Sequence, residues 1–135
     1  MITVLIHTDS RYPVNRKMIR KAVADTFKKH KFENLDAQVS VSVMGARKMK
    51  ELSKKYLQDN KNHQILTFPF EDLGQRPENG QGFVNPPDDI LRLGDVVLCW
   101  PQVLGEASKD DIMVDEEVYD LVCHGVEHLL GLDHE

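Results

Sequence analysis

The sequence predicts an α+β domain in which a mixed four-stranded β-sheet is covered by about four to five helices. Three observations carry the fold. The chain has 135 residues, 41% hydrophobic and 29% charged, which suits one globular domain spanning residues 1–135. Its apolar periodicity changes along the chain in the order β-α-β-α-β-loop-β-α-α. Its second strand alternates apolar and polar residues, so one face of the sheet is expected to be partly polar.

Each element has a local reason. Residues 2–7 (ITVLIH) read as a short strand. Residues 14–30 place Val14, Met18, Ala22 and Phe27 near one helical stripe, with Ile19 and Val23 beside it and Lys and Arg outside. Residues 37–43 (AQVSVSV) form the alternating strand. Residues 45–57 read as an amphipathic helix with Met49, Leu52 and Tyr56 inward and Arg47, Lys48, Lys50, Lys54 and Lys55 outward. Residues 64–70 (QILTFPF) form a strand ended by Pro69. Residues 71–94 hold four of the eight glycines and three of the six prolines, and read as a long mobile loop. Residues 95–100 (DVVLCW) form the next strand, with a short helix after Pro101 through about residue 107. The acid-rich stretch Asp110 to Glu117 suits a helix N-terminus. That last helix should run from about Ile112 to about Leu130 and break at Gly131.

Charge and composition exclude several classes. The formal net charge is −5, but residues 1–62 carry +8 and residues 63–135 carry −13. Such asymmetry points to an anionic partner or to an acidic functional face. No apolar run approaches the ~20 residues of a membrane span. MITVLIHTDSRY lacks a basic n-region and its apolar run is short for a signal peptide. Cys99 and Cys123 sit in apolar segments as buried small hydrophobes do. One conceivable pair without a signal peptide argues for a reducing cytoplasm as the location.

The informative segment is His124 to His134, HGVEHLLGLDH. At about 100° per residue, His124 and His128 lie about 40° apart on one helix face. Gly131 lets the backbone leave the helix, so His134 can return to the same point. Three nitrogen ligands leave a position open for water, the pattern of a catalytic zinc site. Imidazole also suits nickel, copper or iron. Cys123 points away from this face. Asp133 can orient a ligand histidine or serve as a turn residue. The spacing also matches the extended zinc-peptidase pattern, but those enzymes place a glutamate base directly after the first histidine. Here that residue is Gly125, and Glu127 falls on the far side of the helix from the core stripe, where it is expected to be solvated.

HGVEHLLGLDH resembles the signature of the YbeY family of bacterial ribosomal-RNA maturation factors, single-strand endoribonucleases. LTFPFEDLG (66–74) and LGDVVLCW (93–100) resemble two further stretches of that family, and the element order is similar over nearly the whole chain. The resemblance implies a zinc-type metal on His124, His128 and His134. It also implies action on ribosomal RNA, including the small-subunit 3′ end, and a part in ribosome quality control. The sequence departs from the pattern at three places. Leu57 occupies the position of the family's arginine, His63-Gln64 that of a threonine-aspartate pair, and Glu127 that of an apolar residue. Leucine cannot grip phosphate or stabilise developing charge as arginine does.

These readings lead to a metal-dependent ribonuclease holding one zinc ion, with nickel or another divalent metal as the substitute. Lys48, Lys50, Lys54, Lys55 and Lys61 would hold the RNA backbone. His63 is read as supplying a proton or charge in place of the missing arginine, and no other catalytic side chain is assigned. Phe68, Phe70 and Trp100 are expected in the core rather than as base-stacking platforms. The partner is ribosomal RNA or the small subunit, with no membrane and no DNA, and the oligomeric state is left open. A non-catalytic metal-stabilised ribosome factor is the alternative. Another zinc hydrolase is the third reading, and a peptidase would need the base that is missing.

Overall fold

A computed structural model describes residues 1–70 and 90–132. The elements follow the expected order: β1 (Ile2–His7), α1 (Arg16–Lys29), β2 (Ala37–Met44), α2 (Ala46–Leu52), a π-helical turn (Ser53–Leu57), β3 (Ile65–Pro69), β4 (Leu91–Cys99), α3 (Trp100–Asp110) and α4 (Val114–Leu129). One four-stranded sheet has the order β1-β2-β4-β3. β1, β2 and β4 run parallel, and the edge strand β3 runs antiparallel to β4. The sheet is therefore mixed, and the domain is α+β with four α-helices among the described residues.

The alternation in β2 decides the layering. Ala37, Val39, Val41 and Val43 are buried while Gln38, Ser40 and Ser42 are half-buried. The apolar face carries the larger core, in which Ile19, Val23 and Phe27 of α1 meet Val118, Val122 and Val126 of α4 over the sheet. The opposite face carries a smaller core of Met49, Leu66, Val97 and Cys99 beneath α2. Around it the sheet stays partly polar, as the alternation predicts.

Several boundaries and faces differ from the sequence reading. Asn15 is the N-cap of α1, its side chain accepting from the Met18 N–H, so the helix starts two residues later than read. Its buried stripe is Ile19, Ala22, Val23, Thr26 and Phe27, with Met18 only half-buried. The second helix reaches residue 57 as expected, but its end widens into the π-turn. The extra residue in that turn breaks the i+4 register. Met49 and Ser53 stay buried, and Tyr56 rotates outward to 46% exposure. Phe70 is also exposed, one residue beyond the end of an edge strand, whereas Trp100 is buried as expected. Residues 91–94, read as loop, belong to β4. Residues 71–89 of the expected 71–94 loop lie outside the described residues.

The β4 extension is possible because of Gly94. The β2–β4 register shifts between Gln38 and Val39, so that Val39 opposes Gly94 and Leu93 is skipped, a β-bulge. Gly94 has φ +140, and a Cβ there would lie 2.3 Å from the Phe68 carbonyl oxygen. Only glycine fits where β3 comes this close. No helix among the described residues is long and apolar enough to cross a membrane.

Candidate active site

The site is built on α4. Its N-terminus is fixed by the Met113 N–H donating to the Glu116 carboxylate at 3.1 Å, with Asp115, Glu116 and Glu117 in the first turn. One flank of the helix is tied to α1. The Tyr119 O–H donates to Asp25 at 2.6 Å, and the Cys123 thiol sits 3.6 Å from the Ala22 carbonyl oxygen. Burial pushes the Cys123 thiol up, as it does Cys99, and both cysteines are free.

The helix rides on the sheet at Gly125. A Cβ there would come 3.0 Å from both γ-carbons of Val96 and 3.3 Å from Cδ1 of Ile65. This explains the absence of the peptidase glutamate in structural terms. The position after the first histidine faces the β3–β4 surface, where a side chain would press on Val96 and Ile65. His124 and His128 flank that contact on the side away from α1, and both are exposed.

After Leu129 the chain reverses in a Schellman motif. The Gly131 N–H donates to the His128 carbonyl at 3.0 Å and the Leu132 N–H to the Glu127 carbonyl at 2.9 Å. Gly131 takes φ +79, which an L side chain adopts at a cost. The sequence places the break correctly. Asp133 and His134 lie outside the described residues, and among the described residues no three His, Cys, Asp or Glu side chains converge on a metal position. The donor chemistry of the described part fits a metal nonetheless. Two imidazoles one turn apart share an exposed face, and a built-in reversal follows them directly.

Glu127 corrects the sequence reading. It is 9% exposed rather than solvated. Its Oε2 lies 2.9 Å from Nε2 of His30, the C-cap of α1, and 3.5 Å from Nζ of Lys29. His30 first, and then Lys29, hold the Glu127 carboxyl below its ordinary range against the opposing effect of burial. The residue serves as a tie between helices, and nothing in its setting suits a catalytic base.

The basic surface lies on the other side of β3. Arg47, Lys48, Lys50, Lys54, Lys55 and Lys61 are all exposed, as expected. Leu57, at the arginine position, is 48% exposed, and Gln58 follows it in the left-handed region at φ +59. His63 is half-buried, with Nε2 3.3 Å from Asp59 Oδ2. Asp59 is held below its ordinary range chiefly by the Lys61 backbone N–H. Nearby, Ser53 Oγ, Asn62 Oδ1 and Gln64 Oε1 are buried without a hydrogen-bond partner among the described residues. One feature escapes sequence reasoning altogether. The outward Tyr56 ring packs against Phe68 with centroids 5.1 Å apart, and Lys55 Nζ lies 5.2 Å from the Tyr56 centroid.

Comparison with known proteins agrees with the fold and with the motifs. The family model described as Endoribonuclease YbeY matches residues 6–135. A Dehalococcoides mccartyi protein named Endoribonuclease YbeY is 30% identical over 136 aligned positions, covering 98% of this chain and 83% of the relative. An Acinetobacter baumannii protein of the same name is 33% identical over 137 positions, covering 99% of this chain and 81% of the relative. A solution structure from Thermotoga maritima superposes with a TM-score of 0.58 at 22% identity, over 100% of this chain and 75% of that one.

Proposed function

The chain belongs to the YbeY family of endoribonucleases, and from that membership we propose a metal-dependent single-strand endoribonuclease that matures ribosomal RNA, at the small-subunit 3′ end, and serves ribosome quality control in the cytoplasm. One observation carries the metal dependence. His124 and His128 are exposed on one face of α4, beside a glycine that seats the helix on the sheet and ahead of a left-handed reversal leading to His134.

In this reading His124, His128 and His134 hold one zinc ion, with nickel or another divalent ion as a substitute. When bound, the metal would supply Lewis acidity, bringing the pKa of a water down toward neutrality and polarising a phosphate. The protein's own side chains do the rest. Lys48, Lys50, Lys54, Lys55 and Lys61 attract the RNA backbone from an exposed surface, a salt-sensitive contribution without sequence preference. Asp59 orients the His63 ring, which leaves its other nitrogen to hold or move a proton. That is the role proposed for it in the absence of the family's arginine. RNA, not DNA, is the substrate.

Leu57 favours a second reading, a non-catalytic ribosome-associated factor that keeps the metal for stability. A zinc peptidase shares the histidine spacing but lacks its glutamate base, whose position is Gly125, set against Val96 and Ile65. Single-turnover cleavage of a small-subunit RNA precursor separates the first two. The enzyme reading expects cleavage that a chelator abolishes, that zinc restores, and that a variant with all three histidines replaced by alanine lacks. Tight ribosome binding with no cleavage under any metal condition would establish the factor instead. A His63→Ala variant that cleaves at the parent rate would remove His63 from the mechanism.

A further inference from the structure

The π-turn at the end of α2 leaves an aromatic ring in water that the helical period would have buried. Tyr56 is 46% exposed, and Phe68 packs against it with the planes inclined at 58°. That support fixes the ring while leaving it accessible. Lys55 Nζ stands over the same ring, 5.2 Å from its centroid, and Lys54, Leu57 and Phe70 are also exposed, the last two at 48% and 42%. A half-exposed aromatic costs hydrophobic free energy unless something covers it, and a planar base covers it well. The surrounding charge is positive, which suits a polyanion and disfavours an acid-poor apolar peptide.

We propose that Tyr56, backed by Phe68 and flanked by Lys55, is a stacking platform for an unpaired RNA base. The proposal deepens the ribonuclease reading and rests on it. It also supplies a reason for single-strand preference. Lysines hold phosphates in any helix, whereas a ring can stack only on a base that has left its partner. The platform and the histidines are linked through β3. Ile65 of β3 meets Gly125, next to His124, and Phe68 follows three residues later, about 10 Å along the strand. Ile65 packs with the larger core and Phe68 with the smaller one, so the two lie on opposite faces of the edge strand. An RNA strand joining them passes around the sheet edge, which no further strand covers among the described residues.

The test is equilibrium binding in chelator, where cleavage is suppressed. The probes are a short single-stranded RNA carrying a fluorescent adenine analogue and the same sequence as a duplex. Tyr56→Ala should weaken single-strand binding roughly ten- to a hundredfold and remove the fluorescence change, while duplex binding stays as it is. Tyr56→Phe keeps the ring and should stay within about twofold of the parent. The thermal midpoints of both variants, measured alongside, separate folding defects from lost stacking. Parent-like single-strand affinity in Tyr56→Ala overturns the platform, as does an equal loss on single strand and duplex. Unchanged RNA affinity with lost ribosome association would give the surface to a protein and also overturns it. In any of these cases a parent that cleaves RNA leaves the ribonuclease reading standing. A parent that binds no RNA ends both.

Discussion

His30 and Glu127 meet at 2.9 Å, Nε2 to Oε2, and so join the C-terminus of α1 to the last turns of the helix that carries His124 and His128. The Glu127 side chain is 11% exposed and that of His30 21%. The Glu127 backbone carbonyl also accepts the Leu132 N–H that closes the Schellman reversal. A single residue thus fixes both the helix and the turn toward His134.

Replacing Glu127 with alanine should cost about 1–3 kcal/mol, because the His30 and Lys29 side chains lose a largely buried partner. Urea unfolding in chelator measures this. In the double variant with His30→Ala the two losses should fall short of additive by about 1 kcal/mol. Fully additive losses would mean that the pair contributes no coupling.

Asp25 and Tyr119 set a pH window. Hydrogen bonds from Lys21 at 2.8 Å and Tyr119 at 2.6 Å hold the Asp25 carboxyl below its ordinary range, with the Lys21 bond the larger cause. The stability it contributes is complete above the unfolded carboxylate pKa of about 4, and fades as pH falls through the lower folded value. Chiefly through its bond to Asp25, the Tyr119 phenol is pushed above its ordinary value. That contribution is complete below about pH 10 and fades as pH rises through the raised folded value. Asp25 is 39% exposed, so solvent screens its part. Tyr119→Phe should cost about 1 kcal/mol at neutral pH and flatten the alkaline limb of a stability–pH profile. An unchanged alkaline limb would place that titration elsewhere.

Much of this was legible from residue pattern alone. The alternation of residues 37–43 dictates two unequal sheet faces, and the spacing of His124, His128 and Gly131 dictates a shared helix face followed by a break. What escaped depends on contacts between distant segments or on a local change of helical period. His30 is 97 residues from Glu127, so helix geometry alone puts Glu127 in solvent. Tyr56 reads as inward because a 3.6-residue period, continued through residue 57, has no means of showing that the last turn is wider. Gly94 looks like part of a flexible loop, whereas it is the one residue that lets β4 pass under the Phe68 carbonyl.

Gly125 offers a test of how tightly α4 is seated. Alanine favours the helix by about 1 kcal/mol over glycine. Its Cβ would nevertheless press on both Val96 γ-carbons at 3.0 Å, and overpacking costs about 1–3 kcal/mol. Gly125→Ala should therefore lower the urea midpoint, and Gly125→Glu should lower it much further without creating a peptidase. A Gly125→Ala variant more stable than the parent would mean that the helix has room to spare above the sheet.

Zinc K-edge X-ray absorption on the zinc-loaded full chain addresses the metal centre directly. Three nitrogen scatterers at about 2.0–2.1 Å are expected, with one zinc per chain, and His128→Ala should abolish stoichiometric binding. Zinc retained in full by His128→Ala, or sulfur scatterers near 2.3 Å, would show that the histidines of α4 are not its ligands.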